Sequence, residues 1–168
     1  MTYFSLYPSP AGPLLLISDG KSLTGLTFGS PEPHWNAQEN LSIFNSAKRW
    51  LDAYFDGKPA VRDFSLVLKG TAFQHRVWDL LEQIPYGETV TYGQLAKHLG
   101  ENMSAQAVGQ AVGKNPVAIM IPCHRVVGAG GKLTGYAWGL EKKIWLLRHE
   151  HILKEESSCS PTNTSVLP

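Results

Sequence analysis

The pattern of apolar residues changes along the chain, from short extended runs near the N-terminus to helical spacing further on. Tyr3–Tyr7, Leu14–Ser18 and Leu23–Phe28 are rich in residues that favour strands, and turn-forming residues separate them. Between Glu39 and Phe55 the apolar residues instead recur at helical spacing. Residues 1–63 are therefore predicted to form a small α/β domain with an antiparallel sheet and one helix.

Residues 64–154 have the pattern of a mostly α-helical domain. Thr91 and Gln94 have the spacing of a capping box, which predicts that a short helix begins there. Ser104 is placed to cap the next helix, and two short helices joined by a tight turn form a helix-turn-helix pattern. The apolar spacing predicts a final helix over Leu140–Glu150.

The second helix of this pair has an unusual polar face. Val108 and Val112 lie on its apolar face. The polar face holds two glutamines and two glycines, Gln106, Gly109, Gln110 and Gly113. Each glycine costs a helix about 1 kcal/mol relative to alanine, a cost that is tolerated where another molecule must approach the backbone closely. A DNA groove would explain the pattern, and close packing on a neighbouring helix would explain it equally well.

Composition and charge narrow the class of protein only a little. The chain has 168 residues, 43% of them hydrophobic, which is room for one average domain or two small ones. The net charge of +1 does not by itself indicate a nucleic-acid partner, although residues 65–154 hold ten basic and six acidic residues. No segment is apolar for long enough to span a membrane, and the N-terminus lacks the features of a signal peptide. We therefore expect a cytoplasmic protein (nuclear if its source is a eukaryote).

The two cysteines point to a reducing compartment. Cys123 lies in an apolar stretch, and Cys159 lies in the polar segment 155–168, which we predict to be a disordered tail. One cysteine in each place forms neither a disulfide framework nor the four-ligand cluster of a zinc site. The sequence therefore predicts no metal.

The residues best suited to take part in a chemical reaction are Cys123 and His124, which follow a proline at the end of an apolar run. A thiolate is a strong soft nucleophile, and an adjacent imidazole is a common means of forming one. Taken alone, such a pair is more often an inert buried cysteine beside an exposed histidine. Glu150 is the best candidate for orienting the imidazole, and Asn115 is placed to hold a turn. Because neighbours in an extended segment point to opposite sides, this pair needs a turn or a bridging water to interact.

Five stretches of the chain together carry a family resemblance. They are Tyr86–Ala96, Asn115-Pro116, Ile121–Val127, Gly135-Tyr136 and Trp145–Glu150. The set resembles the methylated-DNA–protein-cysteine methyltransferases over roughly residues 64–150, and its Pro-Cys-His-Arg-Val core is highly specific. Residues 1–63 match the family's N-terminal domain only in outline. The resemblance implies a ribonuclease H-like outline for that domain and a winged-helix-like second domain around the helix-turn-helix.

The resemblance also implies a reaction. Cys123 would accept the methyl group from O6 of guanine in DNA, irreversibly and once per molecule, without a metal or an organic cofactor. His124 would take the thiol proton through a water molecule, Glu150 would hold His124, and Asn115 would support the active-site turn. Tyr92 would donate a hydrogen bond to the ring of a guanine flipped out of the duplex.

The resemblance implies that the partner is double-stranded DNA containing O6-alkylguanine and that the protein works as a monomer. It also implies further binding residues. Those implied to contact the substrate base are Tyr92, Val126, Tyr136, Ala137 and Trp138. Those implied to contact DNA are Thr91, Gln94, Gln106, Gly109, Gln110, Gly113, Arg125 and Ala129.

Two positions depart from the family pattern. Gln106 stands where the family commonly has an arginine that fills the gap left by the flipped nucleotide, and Trp138 stands where some members have glycine.

The sequence is also compatible in part with three other functions. A non-enzymatic binder of damaged DNA would lack the reactive cysteine, and Cys123 is present. A cysteine hydrolase would use the same side-chain types as a triad, but no loop of the sequence obviously supplies an oxyanion hole. A transcription regulator would need stronger base-reading chemistry than a short, glycine-bearing helix offers.

Overall fold

The computed structural model describes residues 1–100 and 102–154, and these form two compact units. One unit comprises residues 1–69 with 116–118, and the other comprises the rest of the described chain. The coarse prediction of a small N-terminal sheet domain followed by a helical domain is confirmed. The predicted tail, with Cys159, lies outside the described residues.

The first unit is built on a four-stranded sheet in the order β3-β2-β1-β4. Its strands are β1 (Tyr3–Ser9), β2 (Gly12–Ser18), β3 (Leu23–Thr27) and β4 (Asn36–Ala37). The first three pair antiparallel, as predicted, and β4 pairs parallel with β1. The apolar run of β2 is buried over Leu14, Leu15 and Leu16, as expected for an interior strand. The two residues of β4 are polar and exposed, so no apolar alternation marked them as a strand.

Helix α1 (Ser42–Phe55) packs on this sheet. It begins three residues after the predicted Glu39, because Leu41 still has extended backbone angles. Its buried residues, Ile43, Phe44, Ala47, Leu51 and Tyr54, recur at the spacing of one helical face. Residues 64–69, which the sequence analysis assigned to the second domain, run beside β3: the Leu23 amide donates to the Ser65 carbonyl, and the Val67 amide donates to the Leu23 carbonyl.

The second unit has four helices and a short two-stranded parallel sheet among its described residues. The helices are α2 (Ala72–Glu82), α3 (Tyr92–Leu99), α4 (Ala105–Gly113) and α5 (Leu140–His149). The strands are β5 (Val90–Thr91) and β6 (Val126–Val127). Their pairing fixes the start of α3 next to the segment that contains the Cys-His pair. None of the described helices is both long and apolar enough to cross a bilayer.

The predicted helix starts are confirmed by their hydrogen bonds. The Thr91 hydroxyl accepts from the Gln94 amide at 3.1 Å, and the Gln94 side chain accepts from the Thr91 amide at 2.8 Å. The Ser104 hydroxyl accepts from the Ala107 amide at 3.0 Å. These caps satisfy amide groups that have no partner within the helix, and they give α3 and α4 defined first turns.

The two faces of α4 have different environments. Val108, Ala111 and Val112 are buried, and the Ala111 carbonyl accepts a buried hydrogen bond from the Trp78 indole of α2 at 3.0 Å. On the other face, a methyl group added at Gly113 would meet nothing within 4 Å, and one at Gly109 would meet only the Tyr92 ring, at 3.6 Å. Tight packing on a neighbouring helix therefore does not account for the glycines.

Candidate active site

The segment before Cys123 is a series of tight turns. The Asn115 side chain donates a buried hydrogen bond to the Ile121 carbonyl at 2.8 Å, and the Cys123 amide donates to the same carbonyl at 2.8 Å. Ile119 has a φ of +70°, a conformation that is strained for a β-branched residue. Cys123–Arg125 then form a single 3₁₀ turn. The apolar run is thus folded into turns that place Cys123 and His124 on a compact loop, as their interaction requires.

The Cys123 thiol is buried, and burial raises its pKa to about 11. A hydrogen bond from the Asn115 side chain, the charge of Lys143 and a hydrogen bond from Tyr136 act in the opposite direction. At neutral pH the resting group is therefore a thiol. A reaction at this sulfur needs a base within the site to take the proton.

His124 is suited to be that base. Its Nε2 lies 2.5 Å from Glu150 Oε2, and both side chains are fully buried. Burial lowers the pKa of His124, although the hydrogen bond and charge of Glu150 oppose this. The resting imidazole is therefore neutral, with its proton on Nε2 facing the carboxylate. Nδ1 is then an acceptor, and it has no hydrogen-bond partner among the described atoms of the protein.

Glu150 accepts hydrogen bonds from His124, from Arg125 and from the Gly87 amide at 3.2 Å. Burial alone would raise the pKa of Glu150, but the hydrogen bonds and charges of His124 and Arg125 outweigh burial and hold the pKa far below its usual range. The group therefore stays a carboxylate throughout the physiological pH range and orients the imidazole without taking its proton.

The Arg125 side chain, which was predicted to contact DNA, has its hydrogen-bond partners inside the protein. Its Nε donates to Glu150 Oε1 at 2.7 Å, its Nη2 to Glu150 Oε2 at 3.1 Å, and its Nη1 to the Ile84 carbonyl at 2.8 Å. The guanidinium carbon lies 5.7 Å from the centre of the Tyr86 ring. A buried carboxylate provides a bidentate partner for guanidinium, so this side chain faces the protein interior instead of a phosphate.

Lys143 is a site residue that the sequence analysis missed. It is fully buried, and its Nζ donates to the Val126 carbonyl at 2.7 Å and to the Gly135 carbonyl at 3.4 Å. Burial lowers its pKa to about 8, and the charge of Cys123 acts in the opposite direction. A signal was available, because Lys143 occupies the apolar face of α5, three residues after Leu140 and four before Leu147.

A pocket of about 230 Å³ opens at the sulfur. Its lining consists of Tyr92, Gly109, Val112, Gly113, Cys123, Gly135, Tyr136 and Ala137. The structure thus brings the predicted substrate contacts of Tyr92, Tyr136 and Ala137 together with Cys123 and the glycine face of α4. The volume is below the range of about 300–1,000 Å³ that is typical for drug-sized ligands, so the pocket suits a small group.

Two predicted substrate contacts lie outside that lining. Val126 is buried in β6, paired with Val90, and its amide donates to the Cys123 carbonyl. Trp138 packs edge-on against Tyr136, with ring centres 5.2 Å apart. Trp138 therefore contacts a residue of the pocket lining, Tyr136, but is not itself part of that lining.

The remaining predicted DNA contacts are at the surface or close to it. Gln94, Gln106, Gln110 and Ala129 are exposed, and Thr91 is half-buried. Thr91 and Gln94 are joined by the capping box, which leaves the side-chain NH2 group of the glutamine able to donate elsewhere.

Within residues 1–100 and 102–154, no cluster of three or more His, Cys, Asp or Glu side chains is arranged to hold a metal ion.

These features define a two-domain protein with a small N-terminal sheet domain and a helical second domain, in which a buried cysteine directly precedes a buried histidine. Family models agree with this class: residues 2–69 match the 6-O-methylguanine DNA methyltransferase ribonuclease-like domain, and residues 72–152 match the DNA binding domain of the same family. The chain belongs to the 6-O-methylguanine DNA methyltransferase family.

Individual relatives are similar over almost the whole chain. The methylated-DNA–protein-cysteine methyltransferase of Methanosarcina acetivorans is 45% identical over 161 residues, which is 94% of this chain and 99% of the relative. The solved O6-methylguanine methyltransferase of Mycobacterium tuberculosis is 46% identical, with a TM-score of 0.80 over 89% of this chain and 93% of that one. A structure of the M. tuberculosis protein OGT in complex with DNA is 45% identical, with a TM-score of 0.80 over 88% of this chain and 92% of that one.

Proposed function

We propose that this protein repairs DNA by transferring the methyl group of O6-methylguanine to Cys123, once per protein molecule. The observation that carries the proposal is the position of Cys123 in the lining of a small pocket, directly before a neutral histidine that is hydrogen-bonded to a buried carboxylate. The relatives named as methylated-DNA–protein-cysteine methyltransferases, and their coverage of almost the whole chain, support the same reaction.

The reaction begins with removal of the thiol proton. His124 Nδ1 accepts this proton from Cys123 through a water molecule, and Glu150 stabilises the imidazolium that forms. The thiolate attacks the methyl carbon, an S–C bond forms, and the C–O bond breaks with its electron pair remaining on the guanine. Tyr92 donates a hydrogen bond to the departing guanine ring. The guanine anion then takes a proton from water, and the His124 imidazolium releases the proton that came from Cys123 to solvent, so the charges balance. The product is a thioether with no means of hydrolysis in the site, so each molecule reacts once.

The DNA duplex is bound through the exposed face of α4 in the minor groove. Gly109 and Gly113 present no side chain there, which lets the sugar-phosphate backbone and the extruded nucleotide pass close to the helix. Flipping the base out of the stack brings its O6 substituent to the sulfur. Gln106 or Gln110 occupies the gap in the duplex, with less phosphate attraction than an arginine would provide.

We also propose finer fold assignments and a monomer as the working form. A ribonuclease H-like outline for residues 1–63 is supported by the four-stranded sheet with α1 and by the family description of that region. A winged-helix-like arrangement for residues 64–154 is supported by the three helices α2, α3 and α4 together with the β5–β6 pair.

The test is a titration of a duplex that contains a single O6-methylguanine. Nucleosides from the digested product are separated, and restored guanine is counted against added protein. We expect restoration to stop at one guanine per protein molecule, and we expect none with Cys123→Ala. Restoration well beyond one equivalent would indicate repeated hydrolysis instead. Tight binding without restoration would indicate a non-enzymatic damage binder, and either result would refute the proposal.

A further inference from the structure

Arg125 and His124 share one carboxylate. Glu150 Oε2 lies 2.5 Å from His124 Nε2 and 3.1 Å from Arg125 Nη2, and Glu150 Oε1 accepts from Arg125 Nε at 2.7 Å. The side chains of His124 and Glu150 are fully buried, and that of Arg125 is only 10% exposed. Three groups that can carry charge therefore lie together where an unbalanced charge is costly.

Charge balance in this cluster has two solutions. With Arg125 in place, the guanidinium neutralises Glu150, and the cluster is neutral only if His124 is uncharged. Without Arg125, the pair of His124 and Glu150 would be neutral only if it took up one proton, and the imidazole is the more basic of the two groups. The other titratable groups nearby are Lys143 on α5, Cys123 in the same turn and Tyr86 beside the guanidinium.

We infer that Arg125 is a positioning residue that keeps His124 neutral, by supplying the positive charge that Glu150 would otherwise draw from the imidazole. The inference rests on the proposed function, because only a neutral imidazole can accept the Cys123 proton. Bidentate pairing to both carboxylate oxygens, together with the bond from Nη1 to the Ile84 carbonyl, fixes the guanidinium in this role.

The arrangement determines how the thiol ionises. In the wild-type protein the Cys123 proton moves to His124 within the site, so forming the thiolate exchanges no proton with solvent. In Arg125→Met the imidazole already carries a proton, so the thiol proton must leave to solvent. Thiolate formation then becomes pH-dependent, and its population rises about tenfold per pH unit until the thiol is ionised.

The first experiment is histidine NMR on the full chain with ¹⁵N-labelled histidine. His124 is assigned by the signal lost in His124→Asn. In the wild-type protein we expect a neutral ring protonated on Nε2 from pH 7 to 8, and in Arg125→Met we expect an imidazolium at pH 7. Arg125→Lys keeps the positive charge and should keep the ring neutral. The double variant Arg125→Met with Glu150→Gln should restore neutrality, because both charges are removed.

Arg76→Met is a matched control, because Arg76 also donates to a backbone carbonyl, that of Leu99 at 2.9 Å, but lies outside the cluster. A wild-type His124 that is already an imidazolium at pH 7 would overturn the inference without any variant having to fold. So would an Arg125→Met protein that is folded and keeps a neutral His124.

The second experiment measures alkylation of Cys123 by iodoacetamide from pH 4 to 10, quantified on the Cys123 peptide by mass spectrometry. This reaction requires no DNA, so its outcome is independent of whether the protein transfers methyl groups. We expect a rate that varies less than threefold from pH 7 to 8 in the wild-type and Arg76→Met proteins. In Arg125→Met we expect the alkylation rate to rise about tenfold per pH unit until the thiol is ionised, and to level off above that pH. Profiles of the same shape in wild type and Arg125→Met would refute the inference.

Discussion

Replacing Lys143 with methionine should change how the stability of the protein depends on pH. The ammonium is fully buried, and burial lowers its pKa from the usual 10.5 to about 8. Below pH 8 the group is charged in both folded and unfolded chains, so the folded state bears the whole cost of burying the charge. This difference in pKa between the unfolded and folded chains corresponds to about 3 kcal/mol.

The sign follows from proton binding. Between pH 8 and 10.5 the folded protein has released the Lys143 proton while the unfolded chain still holds it, so the free energy of unfolding rises with pH. Lys143→Met removes this dependence. It also removes the hydrogen bonds to the Val126 and Gly135 carbonyls, worth about 1.5–3 kcal/mol for a charged donor, so the two proteins should have similar stability at pH 7.

The assay is urea unfolding followed by tryptophan fluorescence at pH 7, 8 and 9. Relative to Lys143→Met, the wild-type protein should gain about 1 kcal/mol in free energy of unfolding across this range. The Cys123 thiol also makes stability depend on pH, because its pKa is raised to about 11 in the folded protein. Both proteins contain this thiol, so its contribution cancels in the comparison. Lys142→Met is the matched control and should follow the wild-type slope. Equal slopes in wild type and Lys143→Met would refute the reasoning.

Three further predictions concern the turn and the pocket. Asn115→Ala leaves the buried Ile121 carbonyl without its side-chain donor, so we expect a loss of about 1–3 kcal/mol in urea unfolding and slower methyl transfer. Gly109→Ala should stabilise the fold by up to about 1 kcal/mol, because its methyl group meets only the Tyr92 ring at 3.6 Å, yet it should slow repair by entering the pocket. Trp138→Gly should let the pocket wall relax and raise the rate with O6-benzylguanine by about tenfold, or about 1.4 kcal/mol, with little change for O6-methylguanine.

Each of these has a plain contrary outcome. An Asn115→Ala protein as stable as wild type would show that the hydrogen bond to the Ile121 carbonyl does not stabilise the turn. Unchanged repair kinetics in Gly109→Ala would show that the substrate does not bind beside this glycine. For Trp138→Gly, an unchanged benzylguanine rate would show that the Tyr136 wall does not limit the size of the alkyl group.

Local signals predicted local structure well in this chain. Strand runs, the Thr91–Gln94 capping box and the Ser104 cap each depend on residues near one another in sequence, and each was confirmed. The turns before Cys123 were not predictable from periodicity, because buried turns and buried strands are equally apolar. Non-local charge pairing was not predictable either: the family resemblance implied a DNA contact for Arg125, whereas its side chain pairs with Glu150, 25 residues further along the chain.

The site itself was predicted from a few residues, and the geometry changed its interpretation. Cys123, His124, Glu150, Asn115, Tyr92, Tyr136 and Ala137 all lie in or beside one pocket region of the second unit. The structure adds Lys143, a lysine on an apolar helix face, and reassigns Arg125 from the DNA surface to the buried charge cluster. Sequence pattern identifies side chains capable of chemistry, whereas burial and partner distances decide which charge each one carries.

The most direct test of the account is the mass of the intact protein after reaction with a duplex that carries one O6-methylguanine, followed by peptide mapping. We expect the gain of one methyl group, saturating at one equivalent, on the peptide that contains Cys123. A methyl group found on another residue, or no mass change while the duplex is bound tightly, would contradict it.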